Sequence, residues 1–455
     1  MATTARSNGV AAMSAGVVLR GLRKIQPRRD LPPGPQSPPL VQLARWVLRP
    51  IQLLEECQRE FGDVFTWGGF REGDFVIVAD PDMIKQVFSA DPETLLAGVG
   101  NAVLLEPLLG KNSLLTLDRA EHLRQRRLLL PSFHGERMQA YSSTMRAITS
   151  EAVDRWPVGK DFALHSEMQA ITLDVILRTV FGIDQASKHG GLRAQLIDLL
   201  EILSNPWLMF PGLLGFNPFT VPWLRVAKLK KSVDDLLYRI IAERRAAPRG
   251  TDVLSMMLDA KDDKGEPMSD VEIRDELVTL LLAGHETTAT SLAWVFDQLL
   301  THPAVMTRLR EDVAAGKDEY LDAVIRETLR IRPIIPLVGR VVAKPFQMGP
   351  WHLPVGTRIA PSIYLSGMRA ASHPEPKRFN PDRWLGVKPD PYTWLPFGGG
   401  IRRCIGMAFA QLEMKIVVQT IVQRTRMRAV GGEASVVRRG ITLAPSEGRR
   451  VVIGA

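Results

Sequence analysis

Two short stretches hold residue types whose spacing suits chemistry better than packing. The first is Phe397-Gly-Gly-Gly-Ile-Arg-Arg-Cys-Ile-Gly406, a glycine-rich turn containing one of the chain's two cysteines. A lone cysteine is ordinarily a small buried hydrophobe. Here two arginines precede Cys404 and a helix start follows it, and both features favour thiolate over thiol. The glycines let backbone N–H groups approach the sulfur, the outer-shell support that a metal thiolate requires. Cys57 lies in an amphipathic helical pattern with no such surroundings, and there the core reading holds. Two cysteines so far apart in sequence give neither a disulfide framework nor a paired-cysteine zinc site.

The second stretch is Ala283-Gly-His-Glu-Thr-Thr288. It falls midway along a helical run that opens at Ser269, with Glu272 three residues on as in a capping box, and closes at His302-Pro303. At about 1.5 Å per residue such a run crosses a whole domain. Ile273, Leu277, Leu280, Leu281 and Leu282 make it apolar enough to be buried. Glycine and adjacent polar residues inside a buried helix are locally unfavourable, and such conflicts often mark function. Two further pairs have helical spacing: Glu327 with Arg330, and His122 with Arg126. Alone, each is compatible with an ordinary surface.

Taken in order, these motifs resemble those of the cytochrome P-450 family. Phe397, Gly400, Arg402, Cys404 and Gly406 fit its haem-ligand signature, Phe-x-x-Gly-x-Arg-x-Cys-x-Gly. Ala283 to Thr288 resembles its oxygen-activation segment, and Glu327-Thr-Leu-Arg330 its Glu-x-x-Arg pair. Pro381-Asp-Arg-Trp384 resembles the segment that supplies Arg383 as the third member of that triad. The resemblance covers residues 31–455 and implies a mainly α fold with small β-sheets. Haem b (iron protoporphyrin IX) would lie between the long central helix and the cysteine loop.

Roles follow from the resemblance residue by residue. Cys404 would be the axial thiolate of the haem iron, with Phe397 beside it. Glu286 and Thr287 would be the catalytic pair, delivering protons on the distal face. His122, Arg126, Arg340 and Arg402 would contact the haem propionates, to which arginine bonds in bidentate fashion. Many members carry Trp where His122 stands. Glu327, Arg330 and Arg383 would brace the cysteine loop. Gly98 to Leu115 resembles the loop over the distal face, with Val103, Leu104 and Leu108 pointing to an apolar ligand. Asn205 to Trp223 resembles the lid.

The activity so implied is a monooxygenase inserting one atom of O2 into an apolar lipid, steroid or terpenoid-like substrate. Two alternatives stand beside it: rearrangement or coupling without net hydroxylation, and a non-catalytic haem sensor or carrier. The intact Glu286-Thr287 pair counts against both. Electrons are expected from a separate ferredoxin and ferredoxin reductase, with Arg124, Arg127, Arg403 and Lys415 as the docking residues.

These residues need a large scaffold to position them. The 455 residues are 45% hydrophobic and 24% charged, a balance that excludes wholesale disorder. The net charge of +9 forms no stripe and accompanies no nucleic-acid motif, so no nucleic-acid partner is expected. Val10 to Leu19 is about half the length of a spanning helix, and basic residues follow it. The expectation is a cytoplasmic monomer with peripheral membrane contact left open, a basic disordered tail over 1–30 and one haem domain over 31–455.

The Pro-rich stretch Leu31 to Pro39 marks the boundary between them. A helix is expected over Ile51 to Phe61, then a strand pair over 63–68 and 74–79. Helices should fill 81–330, broken by turns near 92–112 and 205–222. Short strands near 339–343 and 357–361, one helix after Cys404 and terminal β-hairpins over the last 25 residues complete the expectation.

Overall fold

The run from Ser269 folds as one uninterrupted helix, Asp270–Thr301, of 32 residues. Its start is fixed by the expected capping box: Ser269 N donates to Glu272 Oε2 at 2.8 Å, and Glu272 N donates to Ser269 Oγ at 3.3 Å. Side chains from Ile273 to Leu299 are buried on most faces, so this central helix is the axis of the molecule. The computed structural model describes residues 30–69, 73–135, 137–183, 191–203 and 221–454. The basic segment before residue 30 and most of the expected lid, 205–220, lie outside them.

Helices Leu164–Thr179 and Met407–Arg424 pack along the central helix. They share one apolar core that joins Met168 and Ile176 to Leu292, Phe296, Val417 and Ile421. A smaller core lies under a five-stranded sheet formed by β1 (Val64–Gly69), β2 (Gly73–Val78), β3 (Leu95–Leu96), β5 (Arg340–Val342) and β8 (Arg358–Pro361). Its order is β1-β2-β8-β5-β3, antiparallel except between β2 and β8. A hairpin of β6 (Phe346–Met348) and β7 (Trp351–Leu353) interrupts the return from β5 to β8.

Two expectations need correction. The turn region 92–112 contains the helix Gly98–Leu109, with Pro107 inside it. Its cap is not local: Asp118 accepts hydrogen bonds from Ala97 N, Gly98 N and Val99 N at 2.8–3.0 Å, across about twenty residues of sequence. Gly98 is required there, because a Cβ would sit 2.4 Å from Thr116 O. The last 25 residues hold a single hairpin, β10 (Val436–Arg439) with β11 (Thr442–Pro445). The final strand β12 (Arg450–Ile453) instead reaches back to β4 (Asp161–Ala163) and β9 (Met427–Ala429). Strand pairing depends on partners far along the chain, which local periodicity does not reveal. Among the described residues no helix is long and apolar enough to cross a membrane.

Candidate haem-binding site

The cysteine loop is closed by Cys404 N donating to Phe397 O at 2.9 Å. Gly398 and Gly400 take positive φ angles of 65° and 62°. Gly399 and Gly400 also lie against Phe88, where an added Cβ would come within 2.2 and 2.3 Å of its atoms. The glycine run is therefore dictated by turn geometry and by one aromatic neighbour. Cys404 retains accessible surface, yet the loop crowds its sulfur, and that burial pushes the thiol above its ordinary value. The Gly406 N–H, Arg126 and Arg403 act in the opposite direction. Cys57 is buried in the apolar core, as the sequence suggested, and its thiol is pushed up to about 11 by burial.

Behind the loop, Glu327 and Arg330 are fully buried on helix Glu319–Ile331. Arg330 grips the carboxylate through Nε and Nη2, both at 2.8 Å, and Arg383 Nε adds a third contact at 3.0 Å. Trp384 Nε1 and Asn380 N each donate to the same carboxylate at 2.9 Å. From there an aromatic chain leads to the loop: Trp384 to Trp394 at 6.1 Å, then Trp394 to Phe397 at 6.0 Å between ring centroids.

Three of the four expected propionate contacts, His122, Arg340 and Arg402, line one cavity, and Arg126 lies near enough to act on His122. His122 is 2% exposed, and burial followed by Arg402, Arg126 and Arg340 pushes its imidazole down to about 3. Burial and Arg402 likewise bring Arg340 down to about 10, with Asp118 opposing them. Arg402 donates to Leu114 O at 3.1 Å and also to Leu117 O and Asp118. Arg402 pairs with Asp118, whose charge also reaches Arg340, and Asp118 is already shared with three backbone N–H groups, so this one carboxylate offsets little of the charge of Arg126, Arg340 and Arg402. Charges are seldom buried unless paired. The uncompensated positive charge fits a dianionic group such as the two propionates of haem, held near the exposed Cys404.

On the central helix, Thr287 Oγ1 donates back to Ala283 O at 2.5 Å. Ala283 is exposed and Thr287 half-buried, in the middle of an otherwise buried helix. Glu286 does not share that face. Its carboxylate turns into the interface with helix Leu164–Thr179, where Gln169 Nε2 donates to it at 2.7 Å. Arg439 of β10 lies 3.4 Å from its other oxygen. Burial raises the Glu286 carboxyl above its ordinary value, with Arg439 and then Gln169 opposing.

The proposed docking cations need revision. Arg124 is paired with Asp262 and Glu272, Arg127 with Asp263, and Lys415 with Asp318 and Asp322. Their charge is largely neutralised within the chain. Arg403 is exposed, with no carboxylate at ion-pair distance among the described residues. Sequence reasoning also missed Asp118, Phe88, Gln169 and Arg439. Their contacts cross 20, 312, 117 and 153 positions respectively, so no motif spacing carries them.

Comparison with known proteins agrees with this architecture. The cytochrome P-450 family model matches residues 32–446. Cytochrome P-450 135B1 of Mycobacterium tuberculosis is 39% identical over 440 residues, covering 93% of this chain and 92% of the relative. Cytochrome P-450 137 of the same organism is 38% identical over 400 residues, covering 86% and 83%. Among solved structures, retinoic-acid-bound cyanobacterial CYP120A1 aligns with a TM-score of 0.82 at 25% identity, over 93% of this chain and 99% of that one. Helical core, small sheets, motif order and relatives agree: this chain belongs to the cytochrome P-450 family of haem monooxygenases.

Proposed function

We propose that this chain is a haem b enzyme with Cys404 as the iron's axial ligand, inserting one atom of O2 into an apolar organic substrate. The observation that carries the reading is the cysteine loop: an exposed Cys404, its sulfur supported by the Gly406 N–H and flanked by Arg126 and Arg403. Bound haem would supply the redox and oxygen chemistry. His122, Arg126, Arg340 and Arg402 would hold its propionates, and the buried neutral imidazole of His122 would leave the guanidiniums as the charged partners. Phe397 would close the loop beside the ligand. Thr287 would order protons at the distal face through its hydroxyl oxygen, with Glu286 supplying them.

The apolar substrate class is supported by Val103, Leu104 and Leu108 on the Gly98–Leu109 helix, where Val103 is 62% exposed. The retinoic-acid-bound neighbour favours lipid, steroid or terpenoid-like compounds within that class. Electrons would come from a separate ferredoxin and ferredoxin reductase, docking near Arg403. Two unpaired cysteines are in keeping with a reducing, cytoplasmic setting. The test is turnover of a lipid, steroid and terpenoid panel under isotopically labelled dioxygen. One labelled oxygen per product is expected. A product that retains no label would replace this reading with rearrangement or coupling.

A further inference from the structure

The central helix and helix Leu164–Thr179 meet across an apolar interface that one polar seam interrupts. His165 Nε2 lies 3.0 Å from Thr290 Oγ1 and 3.7 Å from Glu286 Oε1. His285 Nε2 lies 3.0 Å from Gln169 O, and Gln169 Nε2 donates to Glu286 Oε2 at 2.7 Å. The two Glu286 oxygens are therefore held unequally. Oε2 has a short amide hydrogen bond. Oε1 makes no hydrogen bond among the described residues: Arg439 Nε, itself without one, lies 3.4 Å away and His165 Nε2 lies 3.7 Å away.

Arg439 is also where the seam meets water. Its side chain is 37% exposed, against 14% for Glu286 and 3% for His165. The histidines are poor proton carriers at neutral pH. Burial, then Arg439 and His285, brings His165 down to about 3, and burial brings His285 down to about 4. Arg439 approaches Oε1, the carboxylate oxygen that makes no hydrogen bond.

We infer that Arg439, from the C-terminal hairpin, is the positioning residue that governs protonation of Glu286, and that solvent protons reach Oε1 past its guanidinium. The inference rests on the reading of Glu286 as the proton source for Thr287. One proton passes from solvent to Oε1, neutralising the carboxylate and releasing it from Arg439. The same proton then leaves to water on the distal side, which the Thr287 oxygen can receive as a hydrogen-bond acceptor because its own hydrogen is donated to Ala283 O. The regenerated carboxylate returns to Arg439. No electron moves in this cycle.

Burial raises the Glu286 carboxyl and Arg439 opposes that rise, so removing the arginine charge must raise it further. The experiment is a pH titration of carboxyl infrared bands in the full-length holoenzyme, without substrate or electron donor. Glu286→Gln identifies the band by deleting it. In Arg439→Gln and Arg439→Met its midpoint should move up by about one pH unit or more, whereas Arg439→Lys should stay near the native value. A role confined to structure would leave the midpoint in place, and superimposable titrations for both neutral variants would overturn the inference. So would the absence of any band lost in Glu286→Gln. Turnover is read separately, as the pH profile of product formed per electron. An infrared shift with an unmoved profile supports the control by Arg439 and refutes instead the catalytic reading of Glu286.

Discussion

Replacing Glu327 by glutamine isolates the charge of the brace while keeping its shape. Five donors converge on this carboxylate. Oε1 receives Arg330 Nη2, Arg383 Nε and Asn380 N, and Oε2 receives Arg330 Nε and Trp384 Nε1. Whichever oxygen becomes NH2, at least two donors then face a donor. Each buried group left unpaired costs about 1–3 kcal/mol, and breaking a buried ion pair costs about 3–5 kcal/mol in all. Glu327 and Arg330 are fully buried and Arg383 is 13% exposed, so solvent screening offers little relief.

A loss of about 3–5 kcal/mol is a large part of a typical stability of about 5–15 kcal/mol. The disturbance should reach the haem site through Trp384, Trp394 and Phe397, whose carbonyl receives the Cys404 N–H. Urea unfolding and haem content per chain are the assays. Burial, the largest single influence, raises the Glu327 carboxyl, but Arg330, the Asn380 N–H and Arg383 together hold the group below its ordinary value of 4.5. Its contribution is therefore present above the ordinary carboxylate range and is lost as pH falls through the lowered value. The stability gap between native and Glu327→Gln proteins should close in acid. A loss below about 1 kcal/mol at neutral pH, with full haem content, would refute the bracing role.

Cys404→Ala should abolish the thiolate-type ferrous–CO spectrum while far-UV circular dichroism stays near native; an unchanged spectrum would move the ligand elsewhere. Thr287→Ala should keep consuming electrons while product per electron falls and hydrogen peroxide rises, as measured by parallel reductant, product and peroxide assays. Full coupling on a substrate without a hydroxyl group would count against the distal assignment. Gly399→Ala would place a Cβ 2.2 Å from Phe88, and such overpacking costs about 1–3 kcal/mol, seen as lower haem incorporation. Arg403→Glu should slow reduction by a ferredoxin at low salt, whereas Arg127→Gln should change it little because Asp263 already offsets that charge.

Much of this molecule is legible locally. The central helix carries its own capping box and long apolar face, and the cysteine loop carries glycines at positions where positive φ is required. What sequence hides is consistently non-local. The Gly98–Leu109 helix has alanine at its N-cap, so nothing nearby announces it; Asp118 does the capping from the start of the next helix. Arg124, Arg127 and Lys415 look like free cations in sequence, and only folding brings their carboxylates alongside. The five-donor grip on Glu327 explains why its short motif carries information, since one carboxylate ties its own helix to the 380–384 turn.

The segment Ala283 to Thr288 shows why one sequence anomaly can have several physical causes. Gly284 faces helix Leu164–Thr179, where an added Cβ would lie 3.1 Å from Ile176 Cδ1, so its presence permits close helix packing. That closeness brings His285 and Glu286 within reach of Gln169, and Thr290 within reach of His165. Ala283 and Thr287 occupy a different, more open face, and the Thr287 hydroxyl is tied to the helix backbone. Apolar packing would account for Gly284 alone. It does not account for a buried carboxylate oxygen and His285 Nδ1 left without hydrogen bonds, each costing about 1–3 kcal/mol. A helix interface selected for stability would replace them with leucine or alanine. Their place beside Arg439, the seam's contact with solvent, is what the proposed proton route through this interface would call for.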